Sequence, residues 1–553
     1  MSLFIKEINT IFEKIKQKHN LKGDVIVEKS KDESYGDFAT NFALINAKAN
    51  NKNSKDLAQL ILTELQSYKI FSNVTIANPG FINITLNNEI LKEVIFAIIE
   101  KKHDYGKSKF KNLKYNLELV SANPTGYLHV GHARNGVIGD CVARILKFAG
   151  YTVETEYYTN DAGNQINIAA STLFYHYKKL LNLQVEKPTE MYGGDMYIEI
   201  AKMFIAEYDD KYGSYGIVDN KISDVTTHEI FKQKSISLFM SEIKKQLISL
   251  DVNIDIYTSE AEMYHNDEIN KMLDMYKKSK KTYELDGALW LKTTEFGDDK
   301  DRVLKKSNGD YTYITPDLAC HNIRFNKSKA DKYVNFWGGD HHGYITRMNA
   351  GLALLGHKLG ILEIDMIQMV RLMKDGQEFK MSKRKGTAVW LIDLLEMIGR
   401  DSIRYMLASK PPSSHMDFDL DIIVEKNSTN PLYYVQYATA RCSKIINKAK
   451  KEKLFIQTSN FDLLTNNKEK QLIILMDSFN KTIEYSATSR LPSVVCDFIQ
   501  NLAKKFHSYY ADTKIFDENN KILTEQRVQL AAAVYQVLTN AFGLIGINIV
   551  DEM

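Results

Sequence analysis

The spacing of apolar positions changes several times along the chain. Leu3, Ile5, Ile8, Ile11, Phe12 and Ile15 recur at helical spacing, and Asp56 to Ile61 opens a second helix. Between Val74 and Leu86 the residues are β-branched and strand-like, broken by an Asn78-Pro79-Gly80 turn, so the first hundred residues predict a small α/β unit. A Lys-rich stretch from Lys101 to Lys114 reads as a solvated linker. From Tyr115 the pattern alternates. Tyr115 to Val120 predicts a strand, followed by a polar loop with Pro124 and Gly126. A helix then runs through Val137, Ile138, Cys141, Val142, Ile145 and Leu146 to Gly150, and Tyr151 to Tyr158 predicts the next strand. Strand, helix, strand favours a parallel sheet that binds ligands beyond the carboxyl ends of its strands.

Residues from about Ala169 to Leu250 predict a helical insertion, after which α/β alternation resumes near Asp251 and continues past Trp337 to Leu372. Beyond Asn427 strand signals cease. Amphipathic segments around Leu472 to Met476 and from Val528 to Leu538 predict a helical bundle, with no Pro after Pro492. The expected domains are 1–105, 106–390 with the insertion at about 169–250, a connecting segment 391–426, and 427–553.

Composition changes this picture little. At ~150 residues per domain, 553 residues allow three to four domains. The 72 Lys+Arg against 69 Asp+Glu leave a formal charge of +3, so no global basic field points to nucleic acid, although a local patch could. Cys141, Cys320, Cys442 and Cys496 lie far apart without a Cys/His cluster, which suggests neither zinc nor a disulfide scaffold and fits a reducing compartment. No apolar run approaches the ~18 residues of a membrane span. The N-terminus mixes Glu7 and Glu13 with lysines, unlike a signal or transit peptide, so a cytoplasmic protein without a membrane partner is expected.

Two loops can carry chemistry. Ser121 to His132 lies between a strand and a helix start, where backbone N–H groups and the helix dipole favour an anion. His129 and His132, three apart, could both donate to phosphate oxygens, with Gly131 allowing close approach to the backbone. For an isolated HxxH, capping the helix or satisfying core polar groups is the better explanation, and a metal site lacks a third ligand. The second loop, Phe379 to Thr387, holds four cations in six positions, Lys380 to Lys385, and could close over polyphosphate. Alone it would be solvated surface.

HxGH after a first strand and KMSK far downstream form a pair that resembles the class I aminoacyl-tRNA synthetases. More narrowly, the chain resembles bacterial-type arginyl-tRNA synthetases. The resemblance is carried by ANPTGYLHVGH (Ala122 to His132), NDAGNQI (Asn160 to Ile166), GDDKDRV (Gly297 to Val303), YITPD (Tyr313 to Asp317), GGDHHGY (Gly338 to Tyr344), KMSKRKG (Lys380 to Gly386) and NPLYYVQYATAR (Asn430 to Arg441). It extends from GDFATNFAL (Gly36 to Leu44) to the Gly543-Leu544-Ile545-Gly546 ending and covers essentially the whole chain.

The resemblance implies a Rossmann-type catalytic domain with a helical insertion, a small N-terminal α/β domain that contacts the tRNA elbow, and an all-α anticodon-binding bundle. It implies ATP-dependent activation of L-arginine and its transfer to the 3′ end of tRNA(Arg). His129, His132, Lys380 and Lys383 would be catalytic. Glu118, Ser121, Ala122, Asn123, His132, Tyr313 and Asp317 would form the arginine pocket, with Glu118 and Asp317 taking the guanidinium charge. His129, Gly131, His132, Gly338, Asp340, His341, Met381, Ser382 and Lys383 would bind ATP. Magnesium is expected on the phosphates, with no structural metal. Tyr434, Gln436 and Arg441 would contact tRNA, and a monomer is expected.

Selecting arginine over lysine requires acceptors matched to a planar five-donor fork, and Pro316 should keep Thr315 out of the helical region and stiffen the pocket wall. A structural ion pair or helix cap is the alternative for Glu118 and Asp317. Among competing functions, a cysteinyl synthetase would want zinc ligands and has no use for Glu118 and Asp317. A catalytically silent RNA-binding relative would have no need of His129, His132, Lys380 and Lys383 together.

Overall fold

The computed structural model describes residues 2–30, 32–338, 342–379, 389–454 and 460–553. The chain divides into two compact units: 109–425 with 491–493, and 1–108 with 426–490 and 494–553.

The first unit is built on a five-stranded parallel sheet. Its strands, in spatial order, are Leu362–Ile367, Lys332–Gly338, Lys114–Glu118, Thr152–Thr159 and Ile256–Ser259. The earliest strand in sequence, Lys114–Glu118, is therefore internal. The chain winds outward from it in one direction and later returns to its other side. The order reverses between Lys114–Glu118 and Lys332–Gly338, where Glu118 and Asn335 are register partners. Such a reversal opens a crevice beyond the strand ends, because successive connections leave to opposite sides. The helix Val130–Phe148 follows the internal strand and buries Val137, Ile138, Cys141, Val142, Ile145 and Leu146.

The insertion contains helices Asn164–Leu180, Met196–Tyr208 and Val225–Ser249 around Phe174, Tyr177, Tyr197, Phe204 and Phe231, with a two-stranded hairpin at 217–222. A three-stranded antiparallel sheet, Thr282–Leu285, Ala288–Leu291 and Arg302–Lys305, leads to the helix Ile314–Ser328. Here the expectation for Pro316 fails. Thr315 lies inside that helix and Pro316 in its first turn. The first turn needs no intrahelical donor from Pro, so its missing N–H costs nothing there.

In the second unit, the antiparallel order Val27–Lys29, Phe38–Thr40, Phe81–Leu86, Phe71–Ala77 forms a four-stranded sheet flanked by helices Leu3–Lys18, Phe42–Asn50, Ser54–Leu65 and Asn88–Lys101. Val27–Lys29 and Phe38–Thr40 have only three residues each, too few to announce themselves by alternation. Among the described residues after 431, the regular elements of this unit are all helices: Pro431–Lys451, Asn467–Asp477, Phe479–Ser489, Ser493–Asp512 and Lys521–Ile545.

Both parts of this unit share buried charge. Asp477 of the bundle accepts from the backbone N–H groups of Leu3 (2.7 Å) and Phe4 (3.2 Å) and from the Ser2 hydroxyl, capping the first helix. Lys470 pairs with Asp37 at 2.8 Å. The helix Lys521–Ile545 is also apolar and long enough to span a bilayer, contrary to the sequence expectation, because uncharged Gln529, Gln536 and Asn540 do not interrupt it. Its most apolar window is 72% buried, as a core helix of the bundle.

Candidate active site

The internal strand ends at Glu118, and the chain then turns through two residues with positive φ, Val120 (+67°) and Ser121 (+44°). For a β-branched residue this is a rare conformation, held only where the surroundings over-determine it. Asn135, on the helix Val130–Phe148, supplies that restraint. Its Oδ1 accepts from the Val120 N–H at 2.8 Å, and its Nδ2 donates to the Phe336 carbonyl at 2.8 Å, spanning both strands of the crevice. The Ser121 hydroxyl donates to Glu118 Oε1 at 3.1 Å and accepts from the Tyr158 N–H at 3.0 Å. Ala122 is buried and its carbonyl accepts from the Tyr157 hydroxyl at 2.7 Å, while Asn123 bonds to Gln165 of the NDAGNQI segment.

At the helix start the two histidines form a reciprocal cap. His129 Nδ1 accepts from the Gly131 N–H at 3.0 Å, and His132 Nδ1 accepts from the His129 N–H at 3.3 Å; their rings stack 3.7 Å apart. Capping and phosphate binding are thus compatible. With both Nδ1 atoms acting as acceptors, the neutral rings carry their protons on Nε2, where they can donate to an anion. Burial holds both rings neutral, depressing His129 and bringing His132 down to about 3, with the neighbouring His129 contributing. Gly131 is required by the same packing, since a Cβ there would lie 2.9 Å from Cε1 of His129.

The arginine-pocket candidates gather at this crevice. Glu118, half-buried, pairs with Arg324 at 3.0 Å, a partner that the sequence reading missed. The ion pair kept as the alternative for Glu118 is thus present, so the carboxylate expected to take a substrate guanidinium already holds one belonging to the chain. A cue exists in the sequence: Arg324 lies seven residues after Asp317 on one helix, hence on the same face. Asp317 accepts a hydrogen bond from the Tyr344 hydroxyl, and Tyr313 at the helix start is 91% exposed. Glu260 was also missed. Burial, then Asp317 and Asp161, push its carboxyl up to about 7. Gly338 ends its strand with open space where a Cβ would be. Lys380, Met381, Ser382, Lys383, Asp340 and His341 lie outside the described residues.

On the helix Pro431–Lys451, Gln436 departs from its expected role. It is 9% exposed, and its side-chain amide donates to the Asn548 carbonyl at 3.2 Å, so it serves the bundle interior. Tyr434 and Arg441 are half-buried. The Arg441 guanidinium lies over Tyr437 (4.3 Å) and Tyr510 (4.9 Å) and contacts His507 Nδ1 at 2.9 Å.

A parallel sheet whose first strand lies beside the order reversal, leading into a helix capped by an HxGH pair, has the architecture of the class I aminoacyl-tRNA synthetases. Residues 93–419 match the family described as "tRNA synthetases class I (R), catalytic domain". Residues 2–86 match the arginyl tRNA synthetase N terminal domain, and 435–553 the DALR anticodon binding domain. The chain is 52% identical to the arginine–tRNA ligase of Mesoplasma florum over 553 residues, all of both chains. It is 38% identical to that of Bacillus subtilis over 96% of this chain and 94% of the relative. The solved arginyl-tRNA synthetase of Thermus thermophilus shares the fold, with a TM-score of 0.74 at 19% identity, covering 99% of this chain and 100% of its own. The chain belongs to the arginyl-tRNA synthetase family, the arginine–tRNA ligases.

Proposed function

We propose that the chain activates L-arginine with ATP and transfers it to the 3′ end of tRNA(Arg), and that the crevice at the Lys114–Glu118 strand end is where activation occurs. The observation that carries this reading is the convergence of Glu118 and Asp317, two carboxylates able to meet a guanidinium, beside a histidine pair with neutral Nε2 donors. In the reaction the arginine carboxylate attacks the α-phosphate in line, releasing pyrophosphate. The ribose hydroxyl of the tRNA terminus then displaces AMP. Positioning and electrostatic stabilisation do most of the work.

His129 and His132 donate Nε2 protons to phosphate oxygens. As neutral groups they contribute hydrogen bonds rather than net charge, so the cationic contribution is assigned to Lys380 and Lys383. Glu118 and Asp317 take the guanidinium. Tyr313, exposed at the helix start, is free to close over it. Asn123 holds the α-amino or carboxylate end, near His132. Gly338, Asp340 and His341 form the adenosine side. Magnesium is expected with the phosphates of ATP rather than in a dedicated protein cage. Tyr434 and Arg441 contact the anticodon loop, where half-buried rings and a guanidinium suit unstacked bases. A cytoplasmic monomer completes the proposal; the four buried cysteines, none in a disulfide, fit a reducing compartment.

Charging assays with all twenty amino acids, with and without tRNA, test the proposal. Arginine-dependent, tRNA-dependent ATP consumption is expected; charging by another amino acid would contradict it.

A further inference from the structure

The guanidinium of Arg324 is 2% exposed and collects acceptors from three adjacent strands. Nε donates to Asn116 Oδ1 at 2.7 Å and lies 3.4 Å from Glu156 Oε2. Nη1 donates to Glu118 Oε2 at 3.0 Å and to Asn335 Oδ1 at 2.6 Å. Nη2 donates to the Asn116 carbonyl at 3.2 Å. Asn116 and Glu118 sit on the internal strand, Glu156 on one neighbour and Asn335 on the other. Glu156 is itself held in place: Asn116 Nδ2 donates to its Oε2 at 3.0 Å and Thr258 Oγ1 to its Oε1 at 2.6 Å.

The Glu118 side chain keeps 13% exposure, whereas Arg324 keeps 1%. The ion pair therefore has an open end and a closed end. A carboxylate offers about four lone-pair positions. Arg324 and Ser121 hold one oxygen each, which fixes the plane of the carboxylate while leaving acceptor capacity at the exposed end.

We infer that Arg324 is a positioning residue for arginine recognition: through its fork it clamps Glu118 in one orientation at the mouth of the crevice. The inference rests on the proposed role of Glu118 as a guanidinium ligand. Burial raises the Glu118 carboxyl above its ordinary range, and the Arg324 charge opposes that rise; without Arg324, the charged groups left facing Glu118 are Glu156 on the adjacent strand and Asp317 on the neighbouring helix, both of which oppose its ionisation further. The uncharged titratable groups facing it are Cys320 and Tyr158. A chain arginine thus holds the acceptor that reads a substrate arginine.

The test is steady-state charging as a function of pH with Arg324→Gln, Arg324→Lys and Glu118→Gln. Arg324→Gln should raise the arginine KM at pH 7 about tenfold or more, leave the ATP KM within about twofold, and move the acid limb of kcat/KM for arginine up by about one unit, so that raising the pH restores much of the loss. A merely structural defect would not be reversed by pH. Arg324→Lys, which keeps a cation without the fork, should show a several-fold lower kcat/KM with an unshifted acid limb. It carries the test if Arg324→Gln does not fold.

Wild-type arginine KM and pH profile in the Arg324 variants, beside an impaired Glu118→Gln, would overturn this inference alone. An unimpaired Glu118→Gln would overturn the reading of the pocket beneath it.

Discussion

Two glutamate–arginine pairs among the described residues have similar geometry and different surroundings. In the helical bundle, Glu469 pairs with Arg527 at 2.9 Å, accepts from the Tyr509 hydroxyl at 3.2 Å and from the Asn466 N–H at 3.1 Å, and is 0% exposed. In the catalytic unit, Glu118 pairs with Arg324 at 3.0 Å and with the Ser121 hydroxyl, yet keeps an exposed end. The positions of the cations also differ. Arg527 is the more exposed member of its pair (15%), whereas Arg324 is the deeper member of its own (1%). A carboxylate enclosed on all sides can only cap and brace. One backed by a buried cation and open at the front can receive a second cation. Ion pairing alone therefore does not separate structure from function; the side from which the pair is open does.

The largest effect expected from this contrast is at the open pocket. Asp317→Ala should lower kcat/KM for arginine by about 10³-fold, corresponding to about 4 kcal/mol, because a charged ligand is deprived of its partner in a partly desolvated site. Kinetics with arginine as the varied substrate check this. Next, Glu469→Ala should destabilise the unit containing the bundle by about 3–5 kcal/mol, since it leaves Arg527 without its buried carboxylate. Denaturant unfolding followed in parallel with arginine binding would read the loss, and arginine affinity should not follow it.

The two pairs were unequally legible in the sequence. Asn466 followed three residues later by Glu469 is a capping-box spacing, and the structure forms that box. Glu118 stood out through what the family resemblance implies for the arginine pocket, but its partner lies 206 residues away, on the helix that precedes the neighbouring parallel strand. The parallel sheet, the insertion and the terminal bundle followed from periodicity, because each has long repeating segments. The three-residue strands at 27–29 and 38–40 did not. Neither did the positive φ of Val120 and Ser121, which tertiary bonds from Asn135 and Tyr158 impose against local preference. The burial of Gln436 was not legible either, because a polar side chain on an amphipathic helix gives no sign that a distant carbonyl, that of Asn548, awaits it.

A smaller effect is expected on the bundle surface. Arg441 stacks on Tyr437 and Tyr510 and contacts His507, so Arg441→Ala should weaken tRNA binding about tenfold, about 1.4 kcal/mol, and leave the arginine KM unchanged. Filter binding at fixed salt measures it.

The smallest effect concerns pH. Burial first, then Asp317 and Asp161, raise Glu260 to about 7, so at lower pH it is protonated. A bound guanidinium favours the ionised form. Arginine affinity should therefore rise as pH passes upward through about 7, by about two- to threefold, and Glu260→Gln should flatten that rise. In the absence of arginine the sign is opposite. A carboxyl raised above its unfolded value costs stability as pH climbs from about 4.5, where the unfolded form ionises, to about 7.

The contrast between the two pairs is tested most directly by calorimetric titration of L-arginine into Glu118→Gln and Glu469→Gln side by side. The prediction is an affinity lowered by about 10²-fold or more for Glu118→Gln and an unchanged affinity for Glu469→Gln. Wild-type arginine affinity in Glu118→Gln would contradict it.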